Sequence, residues 1–486
     1  MSPPQKSSAP HTLRHHFQPV GNRSLVVQVA EDIVRWLQAE QVAAGTRLLS
    51  VREMAVTRRV SADTVARAYD KLVALGHLEA RRGSGFYVRS QRRQLVQAAS
   101  FSADWDSKWG IWRGRLLHPE LPPERWLGIG RLPNNWIDEA LLERALRQAA
   151  RTPASKLLSY GATLGLLPLR EQIDLLLAGQ NIHAGAEGIV TTRGATDAID
   201  LVLQAFSPTT AQVLIEDPCP FVLLERLAAS NIGTLTVSRQ EDGPDLAQLR
   251  QLCTEHQPRL FFCSSLLHNP TSSSLSPQKA FQLLKLAEEF DLLLVDDDSY
   301  ADLASSHLAA RHVRLASMDQ LQRVIHIGSF TKLLGAGLRV GFIASNKDRT
   351  HSLSLHKSAL GIANCELPER VALHALTDGA YRHQGDQIRA KLDRRREEVL
   401  KWLGRCDFKV WHEADQGLFL WADMGAGHNA MVLAEDAFQQ GLLLAPGFLF
   451  TTEERWGSFL RFNIASPFRE GDLRRLAELR DAAKPA

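Results

Sequence analysis

The C-terminal part of this chain carries five short apolar runs that are separated from one another by longer helical patterns. Strand-like and helix-like segments that alternate in this way are typical of an α/β domain with a mostly parallel sheet. Neither a helical bundle nor an all-β sandwich gives such an alternation. The runs lie at residues 213–215, 260–262, 292–295, 324–327 and 340–344.

The composition divides the chain into four segments. With 486 residues it is longer than one ordinary domain. Residues 1–20 are rich in Pro, Ser and His, and we predict that they are disordered. Residues 21–90 are predicted to form a small domain, called the head below. Residues 91–120, with three tryptophans among polar residues, are predicted to form a linker that these tryptophans could partly dock. Residues 121–486 are predicted to form the α/β domain, called the body.

The head shows the pattern of a winged helix-turn-helix. An amphipathic helical pattern spans residues 24–39. Ser50 and Glu53 form a capping box that starts a second helix, and Ser61 caps a third. Two short strand patterns then flank a basic turn. Three short helices followed by a basic hairpin make a winged helix.

The head is basic, whereas the remainder of the chain is mildly acidic. Residues 1–93 carry 15 Lys and Arg against 7 Asp and Glu, and the rest carries 42 against 47. This asymmetry suggests a polyanionic partner, although an ordinary solvated basic surface explains the charge equally well. In a helix-turn-helix, the N-terminal side chains of the recognition helix reach the DNA bases. Candidate contacts to double-stranded DNA are Arg52, Ser61, Thr64, Arg67, Arg81, Arg82 and Gly83.

Other features restrict the classes of protein to which this chain can belong. Its five cysteines have no CxxC or CxxH spacing, which excludes a thiolate zinc module and a disulfide scaffold and fits a reducing cytoplasm. The first fifteen residues lack the apolar core of a signal peptide. No run approaches the roughly 18 apolar residues that a membrane span needs. We expect a cytoplasmic protein with no membrane partner.

Two of the apolar runs are followed by groups that suit an aldehyde cofactor. Lys332 comes shortly after the run 324–327, and a lysine at the end of a buried strand can form a Schiff base, although most lysines simply face solvent. Asp297 lies in a run of three aspartates and could pair with a pyridinium nitrogen, while Tyr300 and Asn269 could contact a ring oxygen. The alternative for the acidic run is a magnesium site.

A phosphate site is predicted next to this lysine. Ser329 and Arg339 flank the lysine in the sequence and could hold a phosphate together. Gly194, Ala195 and Thr196 precede an apolar helical stretch. Small residues at a helix N-terminus expose backbone N–H groups, which bind anions. Such a turn is common, however, and means little by itself.

The head resembles the GntR class of winged-helix regulators. The matching residues lie at 45–53, 61–65, 75–78 and 83–86. The class usually has Arg after the serine of the third helix, where this chain has Ala62. The resemblance implies a DNA-binding head in which one DNA contact is missing.

The body resembles the fold-type I aminotransferases that use pyridoxal phosphate (PLP), from about Arg131 to the C-terminus. A GntR-type head fused to such a body resembles the MocR family of transcriptional regulators. The matching residues, in chain order, are Tyr160, Gly165, Arg170, Gly194 to Thr196, Asn269 to Thr271, Asp297, Tyr300, Ser329, Lys332, Arg339 and Arg461 to Asn463.

The resemblance implies roles around the cofactor ring. Lys332 forms the Schiff base with PLP, and Asp297 pairs with the pyridine nitrogen. Tyr300 and Asn269 contact the ring oxygen. Arg461 binds the α-carboxylate of an amino acid as a two-pronged fork.

The same resemblance implies a set of phosphate ligands. Ala195, Thr196, Ser329 and Arg339 bind the phosphate within one subunit. Tyr160 reaches the phosphate of the partner subunit. Because aminotransferases of this fold have sites at the subunit interface, we expect a homodimer whose two heads read two half-sites.

The body departs from the family pattern in two places. Ser272 replaces the glycine of the usual Asn-Pro-Thr-Gly. In the family, an aromatic residue that stacks on the cofactor usually occupies the position of Pro220. In this chain the aromatic residue, Phe221, comes one position later. Either the loop shifts and Phe221 stacks on the cofactor, or the stacking is lost and transamination is impaired.

Three functions are compatible with these motifs. The first is a regulator that binds promoter DNA through the head and senses an amino compound, or PLP itself, through the body, so that the body serves sensing rather than turnover. The second is a working PLP-dependent aminotransferase with a fused DNA-binding domain. The third is a regulator whose body has lost the cofactor and serves as a dimerisation scaffold, which the intact Lys332 and Asp297 argue against.

Overall fold

The computed structural model divides the chain into two compact units, residues 1–103 and 104–486, and each is described by itself. The predicted disordered segment 1–20 and residues 91–107 of the predicted linker lie outside the described residues. None of the described helices is both long and apolar enough to cross a membrane. The structure describes residues 24–39, 42, 45–74, 77–81, 84–88, 108–207, 212–305, 308 and 311–482.

The first unit contains three helices and a two-stranded antiparallel wing, which confirms the predicted winged helix-turn-helix. In the wing, Leu78 lies opposite Val88. The inward faces of the helices form one small core, in which Ile33, Met54 and Tyr69 are fully buried. The elements are α1 (Leu25–Ala39), α2 (Val51–Arg58), α3 (Ala62–Ala74), β1 (Leu78–Arg81) and β2 (Gly85–Val88).

The predicted capping box starts α2. The Glu53 backbone N–H donates to Ser50 Oγ at 3.3 Å, and the Ser50 N–H donates to Glu53 Oε2 at 2.9 Å. This exchange satisfies two backbone donors that a helix end leaves unpaired. The Tyr69 hydroxyl on α3 donates to the Leu49 carbonyl at 2.9 Å, which ties the third helix to the loop before the second.

The second unit begins, among the described residues, with helix α4 (Lys108–Leu117). This helix lies inside the segment 91–120 that the sequence suggests is a linker. Trp112 is 1% exposed and packs edge-on against Phe438, with 6.2 Å between ring centroids. Burial of this side chain anchors the C-terminal part of the predicted linker to the core of the body.

The remaining helices and strands alternate along the body. The helices are α5 (Glu139–Ala149), α6 (Leu167–Ala178), α7 (Ala195–Phe206), α8 (Phe221–Ala229), α9 (Leu246–His256), α10 (Pro277–Glu289), α11 (Leu315–Asp319), α12 (Thr331–Leu334), α13 (Lys347–Gly361), α14 (Glu366–Thr377), α15 (Ala380–Arg405), α16 (Ala430–Gln439) and α17 (Glu470–Ala482). The strands are β3 (Ile189–Thr192), β4 (Gln212–Asp217), β5 (Gly233–Gln240), β6 (Gly243–Pro244), β7 (Leu260–Cys263), β8 (Leu293–Asp297), β9 (Val324–Ser329), β10 (Gly341–Ala344), β11 (Lys409–Val410), β12 (Phe419–Asp423), β13 (Ala445–Pro446) and β14 (Phe459–Asn463).

Eight strands form one sheet in the order β3-β10-β9-β8-β7-β4-β5-β6. Strands β9, β8, β7, β4 and β5 run parallel, whereas β10 is antiparallel to both of its neighbours. The five apolar runs of the sequence correspond to β4, β7, β8, β9 and β10, which confirms the α/β architecture. Strand β7 is buried along its whole length, as expected for a parallel strand covered on both faces.

A second sheet, with four antiparallel strands in the order β11-β12-β14-β13, lies nearer the C-terminus. None of the five apolar runs of the sequence corresponds to a strand of this sheet. Trp421 and Phe462, on its two longer strands, are fully buried in the main core of the body. Strand β14 carries Arg461.

Candidate functional site

Neighbouring strands β8 and β9 bring Asp297 and Lys332 to one edge of the large sheet. Asp297 ends β8, and Lys332 lies in the short helix α12 directly after β9. The ammonium nitrogen of Lys332 is 4.3 Å from the ring centroid of Tyr300. Lys332 Nζ and Tyr300 Oη both donate to the Gly130 carbonyl, at 2.8 and 3.2 Å. The amine and the phenol therefore converge on one backbone oxygen.

The carboxylate of Asp297 lies beside this pair. It accepts hydrogen bonds from the Ser299 backbone N–H, at 3.1 Å, and from the Ser299 hydroxyl. Burial raises the pKa of Asp297 above its usual value, and the bonds from Ser299 and the charge of Lys332 oppose that rise. Such a carboxylate is suited to pairing with a cationic ring nitrogen.

The other aspartates of the acidic run are already paired within the protein. Asp296 accepts from the Ser265 N–H at 2.8 Å and from the Ser265 hydroxyl at 2.5 Å, and Asp298 accepts from Arg314 Nε at 2.8 Å. Among the described residues, no group of three His, Cys, Asp or Glu side chains is placed to hold a metal ion. The acidic run thus supplies one carboxylate to the site and two to the supporting structure.

Arg461 is a buried cation whose hydrogen-bond partners, among the described residues, are all neutral. Its side chain is 1% exposed, and its guanidinium carbon lies 4.4 and 4.6 Å from the ring centroids of Phe419 and Phe450. Nη1 donates to Asn269 Oδ1 at 2.8 Å, and Nη2 donates to the Gly128 carbonyl at 2.8 Å. In the described part of the chain no carboxylate pairs with it, and burial lowers its pKa to about 10. A ligand carboxylate would compensate this charge.

The predicted phosphate site is a cradle around the N-terminus of α7. Gly194 precedes the helix with a φ of +85°, and no side chain caps the first turn. Arg339 Nη2 donates to the Arg193 carbonyl at 2.8 Å, and a Cβ placed on Gly194 would lie 2.9 Å from that nitrogen. The cradle therefore requires glycine at this position. Backbone N–H groups at a helix end beside an arginine side chain suit an anion, and phosphate binding by Ala195 and Thr196 stays a prediction.

Ser329 lies at the end of β9, paired in register with Gly341 of β10. Its hydroxyl donates to Thr331 Oγ1 at 2.9 Å. A Cβ on Gly341 would lie 2.9 Å from Cα of Gly194, so these two glycines pack directly against each other. The close contact brings the end of β9 and the start of α7 together, as the sequence motifs predict.

Phe221 is the first residue of α8, and Pro220 precedes it. Its ring is 6% exposed and packs edge-on against Phe450, with 5.8 Å between centroids. Phe450 in turn contacts Arg461. Phe221 therefore belongs to the aromatic wall beside the arginine, and its stacking on a cofactor stays a prediction.

Tyr160 is not brought together with the other predicted residues. It is 82% exposed, on a loop that ends at Gly165 with a φ of +102°. Arg170 Nε donates to the Gly165 carbonyl at 3.1 Å and holds the end of this loop. A role toward a second subunit stays a prediction.

Gly130 is the site residue that the sequence reasoning missed. Its contribution is a backbone carbonyl, which any residue type supplies, so side-chain chemistry gave no signal. A Cβ on Gly130 would lie 2.9 Å from Tyr300 Oη and 3.4 Å from Arg461 Nη2. The Gly-x-Gly spacing at 128–130 was the feature that could have revealed this close approach.

The head presents most of its predicted DNA contacts to solvent. Arg52, Ser61, Arg67 and Arg81 are exposed, and Thr64 is half-buried. The hydroxyl of Ser61 accepts from the Thr64 N–H at 3.0 Å, which caps α3. The guanidinium of Arg81 lies 4.4 Å from the ring centroid of Tyr87. The remaining two predicted contacts, Arg82 and Gly83, lie outside the described residues.

Comparison with known families accounts for both units. The profile of aminotransferase class I and II matches residues 125–478, and that of the bacterial regulatory proteins of the gntR family matches residues 25–88. The chain belongs to the class I and II aminotransferase family. With its GntR-type head it has the MocR architecture and is a MocR-type transcriptional regulator, as the sequence motifs predict. The GntR-type head implies DNA binding.

Relatives of this MocR-type regulator include both regulators and enzymes. The HTH-type transcriptional regulator YdcR of Escherichia coli is 27% identical over 463 residues, covering 93% of this chain and 97% of that protein. Kynurenine aminotransferase of Pyrococcus horikoshii superposes with a TM-score of 0.71 and 21% identity, over 81% of this chain and 99% of that chain. LysN, an α-aminoadipate aminotransferase of Thermus thermophilus, superposes with a TM-score of 0.67 and 24% identity, over 77% and 97%. The structural likeness confirms the fold-type I body.

Proposed function

We propose that this MocR-type regulator binds PLP in its body, senses an amino compound there, and uses the change to control how two heads engage promoter DNA. The observation that carries the proposal is the buried guanidinium of Arg461, which has no carboxylate partner in the described part of the chain. It lies beside a lysine amine and a tyrosine hydroxyl that share the Gly130 carbonyl.

The residues present fit PLP. The cradle of Gly194, which a Cβ would fill, suits a phosphate held by the N–H groups of Ala195 and Thr196 together with Ser329 and Arg339. When bound, PLP supplies an electrophilic aldehyde and an electron-withdrawing ring.

The remaining side chains would orient the ring. Asp297 would pair with the ring nitrogen, and Tyr300 and Asn269 would hydrogen-bond the ring oxygen. Lys332 would provide the amine that attaches the aldehyde, because its Nζ is already held at the Gly130 carbonyl at 2.8 Å. Phe221 would provide an apolar wall.

Arg461 would select the ligand. Its three donor nitrogens all face backbone or amide oxygens, of Gly128 and Asn269. A carboxylate offers two anionic oxygens to the planar fork and is therefore preferred over these neutral acceptors. The sensed compound would accordingly carry an amine and a carboxylate.

A homodimer is supported by exposed apolar side chains around Tyr160. Leu158 and Tyr160 are 85% and 82% exposed, and Leu360 and Ile362 are 55% and 44% exposed. A Cβ on Gly161 would lie 3.7 Å from the Asn364 carbonyl, so the two segments are neighbours. An apolar patch of this kind is typical of a protein–protein interface. Tyr160 would then reach the phosphate in the partner subunit.

The visible absorption spectrum of the purified protein tests the proposal. Addition of PLP should produce a new visible band that borohydride removes, and one class of amino acids should shift that band. The same amino acids should change the affinity or footprint on promoter DNA in a gel-shift assay. Absence of any band would contradict the proposal and favour the scaffold interpretation.

A second candidate function is transamination. It is favoured by the convergence of Lys332 and Tyr300 on one carbonyl beside Asp297, since a proton-transferring amine is what turnover requires. A spectrum that an amino acid changes and a keto acid then restores, with a new amino acid formed, would support this function. A shift that no keto acid reverses would support sensing alone.

A further inference from the structure

The body carries a second cleft, separate from the site around Lys332. It has a volume of about 360 Å³ and is called the back cleft here. We infer that the back cleft is a second ligand site, for a small carboxylate that has an apolar body. Its apolar walls are formed by Trp126, Ile129, Leu132, Pro133 and Pro467.

The cation of the back cleft is Arg131. Its guanidinium carbon lies 4.1 Å from the ring centroid of Trp126, in a cation–π contact. Trp126 is itself fixed, because its indole N–H donates to the Leu121 carbonyl at 2.6 Å. Among the described residues, no carboxylate or hydrogen-bond acceptor pairs with this guanidinium, which is half-buried. A pre-oriented arginine with open donors favours a planar carboxylate.

The other polar groups of the cleft restrict the ligand further. Asn134 and Asn135 are exposed at the wall and offer amide groups. Glu124 also lines the cleft and is exposed. With one arginine and one glutamate, the cleft disfavours a ligand that carries two negative charges. It fits a ligand with one carboxylate, which Arg131 would bind, with or without an ammonium group near Glu124. The ligand is therefore an apolar carboxylic acid or an apolar α-amino acid.

The back cleft and the Lys332 site share one wall, the irregular segment 127–131. Its alternate carbonyls have different partners. The Gly128 and Gly130 carbonyls accept from Arg461 and Lys332, whereas Asn463 Nδ2 donates to the Ile129 and Arg131 carbonyls at 2.7 Å each. A ligand that moves this wall would thus change the hydrogen bonds of both Arg461 and Lys332. Binding in the back cleft does not itself depend on PLP.

Fluorine NMR of the full-length protein carrying 5-fluorotryptophan tests the site. The resonance of Trp126 is assigned by its loss in Trp126→Phe. The two probes are 4-methylpentanoate and L-leucine, which share an apolar body and a carboxylate but differ in the ammonium group. We expect a saturable shift of the Trp126 resonance. If leucine binds more tightly than 4-methylpentanoate and Glu124→Gln removes the difference, the ligand of the cleft is an α-amino acid. If the two probes bind equally well, the cleft recognises the carboxylate alone.

The variants decide where the probe binds. Arg131→Leu should weaken binding at least about tenfold, because one charged hydrogen-bonding group is lost. Arg131→Lys should weaken it less, and Arg147→Leu, which removes an exposed arginine of α5, should leave it unchanged. The PLP absorption band should be unaltered in Arg131→Leu, which separates this site from the PLP proposal. No saturable shift with either probe, or an unchanged affinity in Arg131→Leu, would overturn the inference.

Discussion

Arg461 and Asn269 are joined by a hydrogen bond of 2.8 Å from Nη1 to Oδ1, although they lie about 190 residues apart in the sequence. Asn269 follows β7 of the large sheet, and Arg461 lies in β14 of the small one. The side-chain partner of this buried guanidinium is therefore a neutral amide rather than a carboxylate. A ligand carboxylate entering the site would compete with Asn269 and Gly128 for the same guanidinium.

Arg461→Lys should weaken binding of the amino compound while leaving the PLP band in place. The ammonium group keeps the charge but loses the fork that reaches both Asn269 and Gly128. We expect the concentration that half-saturates the spectral shift to rise by roughly 10- to 100-fold. Arg144→Lys, at a surface ion pair with Asp378, serves as the control. An unchanged half-saturation would remove Arg461 from the ligand site.

Lys332→Ala should abolish covalent attachment of PLP. Within the described part of the chain the lysine makes one hydrogen bond, to the Gly130 carbonyl, so its removal should change the melting temperature little. The measurement is intact-protein mass spectrometry after incubation with PLP and reduction with borohydride. Wild type and Lys347→Ala, which alters an exposed lysine paired with Glu187, should both gain the phosphopyridoxyl mass. A comparable mass gain in Lys332→Ala would refute the assignment.

Gly194→Ala should damage the phosphate cradle. The added Cβ would lie 2.9 Å from Arg339 Nη2, and the residue has a φ of +85°. Displacement of Arg339 should weaken PLP binding at least about tenfold, and the left-handed backbone should cost on the order of 1 kcal/mol of stability. Gly337→Ala is the matched control, because nothing lies within 4 Å of its Cβ position. Equal PLP affinities in the two variants would contradict the proposed cradle.

Asp296 should make the protein less stable as the pH rises from about 4 to about 7. Burial, together with the charge of Asp298, raises its pKa from 3.8 to about 7. Between these values the folded protein keeps a proton that the unfolded chain has released, so the free energy of unfolding falls with increasing pH by roughly 1 kcal/mol per unit.

Urea unfolding of wild type and Asp296→Asn between pH 4.5 and 7.5 checks this expectation. The variant has no proton to lose at this position, so its stability should depend less steeply on pH. Asp291→Asn, at an exposed aspartate whose pKa is lowered by Arg323, should keep the slope of wild type in this range. If Asp296→Asn kept that slope too, the protonation of Asp296 would not be its cause.

The parts of the fold that the sequence predicts are those with local patterns. The buried strands are continuous apolar runs, and the Ser50–Glu53 capping box marks a helix start, so each could be recognised without tertiary information. The sequence predicts a linker where α4 lies, because Trp112 stands among polar residues. Its burial depends on Phe438, more than 300 residues further along the chain.

The parts of the site that could not be predicted depend on long-range geometry. The Gly130 carbonyl accepts a hydrogen bond from Lys332, about 200 residues away in the sequence. Because glycine has no side chain, the residue type gives no sign of this contact. The position of Phe221 follows from where α8 begins and from its contact with Phe450. By contrast, the sequence does predict that Asp297 and Lys332 lie in one site. Each residue lies at or next to the end of a strand, and the two strands, β8 and β9, are neighbours in the sheet.

Arg52→Ala should weaken DNA binding nearly equally on all sequences. Arg52 is exposed at the start of α2, and in the described part of the chain no carboxylate pairs with it, so its charge is available to a DNA phosphate. Loss of one phosphate contact should reduce the slope of log affinity against log salt by about 1. The measurement is fluorescence anisotropy, between 50 and 200 mM salt, on a duplex selected from a random library with the wild-type protein. As a control, Arg151→Ala removes an exposed arginine of the body and should leave this slope unchanged. If Arg52→Ala also left the slope unchanged, Arg52 would be excluded from the DNA surface.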